Sequence, residues 1–131
     1  MAFTRNDLER FAAKERDRFE DMLKDFVEVP SISAEPGRKA DVEQVAELGA
    51  ATIRAFGGRA ELHRVAGGSP IVLGSFESGK GRPTVTVYNH LDVQPASKET
   101  EPWRTEPFKL TKLGDTYFGR GTTDDKGPAL S

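Results

Sequence analysis

The stretch Thr84-Val85-Thr86-Val87-Tyr88-Asn89-His90-Leu91-Asp92 decides how this chain is read. Its β-branched and aromatic residues suit a pleated, half-buried strand, and residues 84–89 are expected to be the best strand in the chain. At its end, His90 and Asp92 stand two positions apart, a spacing that turns both side chains to one face of an extended segment. An imidazole and carboxylates delivered at strand ends are the ligand types of a hydrolytic metal site. A second polar cluster, Gly119-Arg120-Gly121-Thr122-Thr123-Asp124-Asp125-Lys126-Gly127, lies downstream in sequence built for turns.

Working outward, the N-terminal third reads as helical. Thr4, with Asp7 three residues on, is an N-cap signal, and Leu8, Phe11, Phe19, Met22, Leu23, Phe26 and Val27 recur at helical spacing. Pro30 ends that helix, and residues 31–37 form a loop rich in Ser, Pro and Gly. Val42, Val45, Ala46, Gly49, Ile53 and Phe56 define the buried stripe of a second helix, stopped by Gly57-Gly58.

After Gly58 the period changes from about 3.6 to 2. Residues 60–65 and 71–76 read as strands around a turn, and residues 107–113 and 116–118 as a hairpin about Gly114-Asp115. A long polar loop, 94–106, lies between, and its acidic part, 99–106, reads as a solvated connection. His63 reads as a solvated strand residue, and Trp103 and Phe108 as packing residues. The order predicts an α/β domain with helices packed on a mixed β-sheet and polar chemistry at strand ends.

Composition narrows the function. With 131 residues, one core is feasible, burying roughly two thirds of the unfolded surface. A mean hydropathy of −0.56 and the lack of any apolar run near ~20 residues exclude a helical membrane span. Nineteen basic residues against 21 acidic ones give a net charge of −2 without a basic patch, so no nucleic acid or anionic lipid is expected as a partner. There is no cysteine, so any metal must sit on His, Asp and Glu. The charged segment 1–10 lacks the apolar core of a signal peptide, which favours a cytoplasmic protein.

The motifs also carry a resemblance. Tyr88-Asn89-His90-Leu91-Asp92-Val93-Gln94-Pro95, then Trp103, Pro107-Phe108 and the cluster from Gly119 to Pro128 occur in the order found in the M20 metallopeptidases, and Val29-Pro30-Ser31-Ile32-Ser33 fits their N-terminal region. That family includes carnosinase-like dipeptidases, glutamate carboxypeptidases, acetylornithine deacetylases and succinyl-diaminopimelate desuccinylases. The wording here is most similar to the carnosinase-like dipeptidases. The resemblance implies a zinc-peptidase-like catalytic domain, of which residues 1–131 would be the N-terminal part. It implies two divalent ions, zinc first and manganese or cobalt as alternatives. His90 would bind one ion, Asp124 would bridge both, and Asp92 would be the catalytic partner that orients His90. The Asp124–Asp125 bond would be a candidate cis peptide.

The implied reaction is hydrolysis of a dipeptide or N-acyl amino acid by metal-activated water, in a homodimeric parent protein. In that family a pair of glutamates, the first a general base, and further acidic and histidine ligands follow the region matched here. Residues 126–131 read as the opening of a further helix, so the chain is expected to be incomplete and inactive alone. The alternatives are a non-catalytic relative acting as a binding or oligomerising module, and a single-metal binding protein without hydrolysis.

Overall fold

The computed structural model describes residues 3–131. Of the charged segment 1–10, the first two residues lie outside the described ones. Helix α1 spans Arg5–Val27 and begins at the expected cap: the Thr4 side chain accepts from the Asp7 N–H, and the Asp7 carboxylate accepts from the Thr4 N–H. Such a reciprocal pair satisfies two of the donors a helix start leaves unbonded. A 3-10 turn at Pro36–Arg38 leads into α2, Lys39–Ala55. Gly57, at φ +84°, then reverses the chain; its N–H donates to Arg54 and that of Gly58 to Ile53.

The core sits where the end of α1 meets α2. Phe26, Val29 and Val45 form its centre, with Leu48, Leu91 and Leu130 packed around them. Each such side chain contributes about 1.5–3 kcal/mol when fully buried. Leu91 brings the segment carrying His90 and Asp92 directly onto this core. The apolar stripe of α1 is buried only toward its C-terminal end, at Leu23, Phe26 and Val27; Leu8 and Phe11 are exposed, because the other elements reach only that end. Phe56, expected inside, is exposed and carries the Arg18 guanidinium 4.1 Å above its ring.

The α/β class stands, with the strands in two antiparallel pairs. Strand β1 (Arg59–His63) pairs with β2 (Ile71–Ser75), Leu62 opposite Val72, and this pair packs on α2. Strand β3 (Thr111–Leu113) pairs with β4 (Thr116–Phe118) about the turn at Gly114. The short α3, Lys126–Ala129, closes the described chain and packs on α1.

One expectation is corrected. Residues 84–89 join no ladder, and Val85, Val87 and Tyr88 are 82%, 75% and 85% exposed. A segment β-branched from Thr84 to Val87 and followed by Tyr88 is suited to a strand with neighbours on each side. Propensity cannot hold it without a partner, and no described segment offers one.

Candidate metal centre

Two segments meet at the site. The first, residues 90–93, is held by the loop after α1: the Ser31 hydroxyl donates to the Leu91 carbonyl (2.7 Å), and the Val93 N–H donates to the Ser31 carbonyl (3.0 Å). The second is the turn before α3, where the Asp124–Asp125 peptide is cis. The two segments are joined through both carboxylates of that turn. Asp124 Oδ1 lies 3.1 Å from His90 Nε2, and Asp125 Oδ2 accepts from the His90 backbone N–H at 3.0 Å. The Asn89 amide, turned so that its nitrogen faces the carboxylate, adds a 3.2 Å bond to the same Asp125 oxygen.

The other ring nitrogen of His90 faces Asp92, 3.1 Å from its backbone carbonyl and 3.3 Å from Oδ1. Accepting oxygens there favour a proton on Nδ1, the tautomer in which Nε2 is the ligating nitrogen of a metal-bound histidine, and the Asp124 carboxylate facing Nε2 favours a proton on that nitrogen as well. Burial pushes the imidazole pKa down, but the bonds to the Asp92 carbonyl and Asp124 and the charges of both aspartates outweigh it, and the net direction is up. The three residues singled out from sequence, His90, Asp92 and Asp124, are thus brought together. Asp124 is the most open, 83% exposed at the side chain. His63 lies elsewhere, exposed and 3.3 Å from Glu61.

Two donors bound to one zinc-like ion at about 2.0–2.2 Å are themselves roughly 3 Å apart. The 3.1 Å separation of His90 Nε2 and Asp124 Oδ1 fits that requirement. Among the described residues no group of three or more His, Cys, Asp or Glu converges on a metal position.

Lys126 was not singled out from sequence. It is fully buried, and its Nζ donates to the Phe26 and Val29 carbonyls (2.8 and 2.7 Å) at the end of α1. Burial pulls its pKa down to about 8, partly opposed by the charge of Asp92. Gly127 is required beside it: a Cβ there would lie 2.0 Å from the Thr122 carbonyl oxygen. The loop 94–106 is also more tied down than its polarity suggested. Glu101 accepts from the Trp103 indole (2.5 Å) and meets Arg120 (3.5 Å), and the Arg120 guanidinium lies 5.1 Å from the Trp103 ring centre.

The chain is similar to known proteins over most of its length. The profile of peptidase family M20/M25/M40 matches residues 86–131, which contain both halves of the site. The Cys-Gly metallodipeptidase dug1 of Schizosaccharomyces pombe is 38% identical over 127 residues, covering 89% of this chain and 26% of that protein. The chain belongs to peptidase family M20. The Beta-Ala-His dipeptidase of Rattus norvegicus is 34% identical over 128 residues, 88% of this chain and 26% of that protein. Human carnosine dipeptidase 1 superposes with a TM-score of 0.82 at 30% identity, over 92% of this chain and 28% of that one. The dipeptidase Dug1p of Saccharomyces cerevisiae gives 0.81 at 30% identity, over 90% and 27%. The chain therefore spans about a quarter of the length of the M20 relatives it matches. No helix among its described residues is long and apolar enough to cross a membrane.

Proposed function

We propose that this M20 chain supplies part of the metal centre of a dipeptidase, with His90 and Asp124 as ligands and Asp92 as the residue that orients His90. One observation carries the reading: His90 Nε2 and Asp124 Oδ1, 34 residues apart in sequence, come within 3.1 Å while Asp92 faces the opposite ring nitrogen. A bound divalent ion lowers the pKa of a water toward about 7 and polarises a scissile carbonyl. The chain's own contribution is to fix the imidazole tautomer through Asp92 and to hold Asp124 against the ring through the bond from Asp125 to the His90 backbone.

The substrate class is a dipeptide or another N-acyl amino acid, as the names of the Cys-Gly and Beta-Ala-His relatives suggest. Zinc as the native ion, with manganese or cobalt as substitutes, a homodimeric parent protein and a cytoplasmic setting extend the same reading. Zinc sites take three or four protein ligands, and two candidates are present here, so residues 1–131 alone are expected to hydrolyse no dipeptide. The test is to express the complete natural reading frame and assay it with each ion. Full activity after His90→Ala or Asp124→Ala would overturn the assignments, and dipeptide hydrolysis by residues 1–131 would overturn the expected inactivity.

The exposure of Val85, Val87 and Tyr88 in an unladdered segment favours a second reading, a binding or oligomerising module without catalysis. Light scattering on residues 1–131 separates the two, since a clean monomer counts against the module.

A further inference from the structure

Beyond the three residues of the site, a fourth is connected to His90 through Asp92. The Ser33 hydroxyl donates to Asp92 Oδ2 at 2.5 Å, and the remaining oxygen, Oδ1, is the one 3.3 Å from His90 Nδ1. Ser33 is itself exposed, so burial does not hold this bond. Its backbone is held instead. Ser31 and Ile32 are buried, and Ser31 bonds to both residues that flank Asp92, giving its hydroxyl to the Leu91 carbonyl (2.7 Å) and its carbonyl to the Val93 N–H (3.0 Å). The loop after α1 thus grips residues 91–93 by the main chain and presents a hydroxyl to the side chain between them.

We propose that Ser33 is a positioning residue of the metal centre, locking the Asp92 carboxylate so that Oδ1 fixes the His90 ring and aims Nε2 at Asp124. The inference rests on the metal-centre reading above. A carboxylate's terminal torsion is broad and weakly defined, and Asp92 is 44% exposed at its side chain, so without an anchor it can turn toward solvent. Partners of this kind, one step out from the metal ligands, are typically worth 10- to 100-fold in metal affinity. Ser33 acts through such a partner, and its share is correspondingly smaller.

The experiment uses protein expressed from the complete natural reading frame, stripped of metal and titrated with Co²⁺ against a chromophoric chelator. Ser33→Ala should weaken Co²⁺ binding by up to about 10-fold, less than the roughly 10- to 100-fold expected for Asp92→Ala. Ser33→Thr, which keeps the hydroxyl, should restore most of the affinity. In an Asp92→Ala background, Ser33→Ala should change affinity less than about 2-fold, because the route through Asp92 is already gone; a merely structural role would cost the same factor in both backgrounds. Unchanged affinity in Ser33→Ala, or an equal loss in both backgrounds, overturns the proposal. His90→Ala serves as the reference: if it too leaves Co²⁺ binding intact, the metal-centre reading fails, whereas a loss there with none in Ser33→Ala overturns the role of Ser33 alone.

Discussion

Lys126 Nζ donates to the Phe26 carbonyl oxygen at 2.8 Å, joining residues 100 apart in sequence. The same ammonium donates to the Val29 carbonyl at 2.7 Å. The residue that follows the Asp124–Asp125 pair is therefore fastened to the end of α1, the element whose outgoing loop grips Asp92. Both halves of the proposed metal centre are referenced to one helix terminus.

Removing this fastening should cost stability. Lys126→Ala removes a charged donor from two carbonyls that keep the Val29 and Ser31 N–H groups as partners, about 1.5–3 kcal/mol for each bond lost, and empties the space of a buried stem. Relief from keeping an ammonium out of water, the cause of its pKa falling to about 8, offsets part of that. A net loss of about 2–4 kcal/mol is expected in denaturant unfolding; a change under about 0.5 kcal/mol would contradict it.

Gly127 should tolerate no side chain. Its added Cβ would sit 2.0 Å from the Thr122 carbonyl oxygen, a backbone atom that cannot swing aside. Gly127→Ala should therefore destabilise by at least the 1–3 kcal/mol typical of overpacking. Gly37, where a Cβ meets nothing within 4 Å, is the control, and Gly37→Ala should melt with the parent protein. Equal melting of the two variants would count against the turn as described.

Acid should weaken the contact between α1 and the β3–β4 hairpin. Glu20 accepts from Lys112 (2.6 Å) and from the Tyr117 hydroxyl (2.7 Å), and these two bonds, Lys112 first, hold its carboxyl below the usual glutamate range. A carboxylate whose folded pKa is depressed stabilises the fold above its unfolded pKa, and that contribution is lost as pH falls through the folded pKa. NMR titration should place Glu20 below ordinary glutamates, and Lys112→Met should raise it. An unshifted Glu20 would remove the basis for this contact.

Asp92→Asn should keep the fold and lower metal affinity or dipeptide hydrolysis by roughly 10- to 100-fold, the range for a partner that orients a ligating histidine. The amide is nearly isosteric but presents a donor or a weaker acceptor to His90 Nδ1. Calorimetric metal titration reads the effect, and unaltered affinity would show that the Asp92 carbonyl alone suffices to hold the ring.

Much of this was legible because the signals were local. The Thr4–Asp7 cap, the reversal at Gly57 and the hairpin at Gly114 each depend on residues a few positions apart. The pairing of His90 with Asp92 followed from the two-residue period of an extended segment, and the approach of Asp124 and the cis bond after it followed from family resemblance rather than spacing. What escaped was set by distant partners. Ser33 meets Asp92 across 59 residues and Lys126 meets Val29 across 97; both lie in motifs that carry the family resemblance, but nothing local says what either side chain touches. Residues 84–89 misled in the opposite way, since their strand propensity is real but no described segment pairs with them.

Bound metal tests the central claim most directly. Protein from the complete natural reading frame, loaded with Zn²⁺, dialysed and analysed for metal alongside His90→Ala and Asp124→Ala, should carry about two ions per chain, with at least about 10²-fold weaker retention in each variant, beyond the loss from an outer partner. Stoichiometry and affinity unchanged in both variants would contradict the assignment of His90 and Asp124 as ligands.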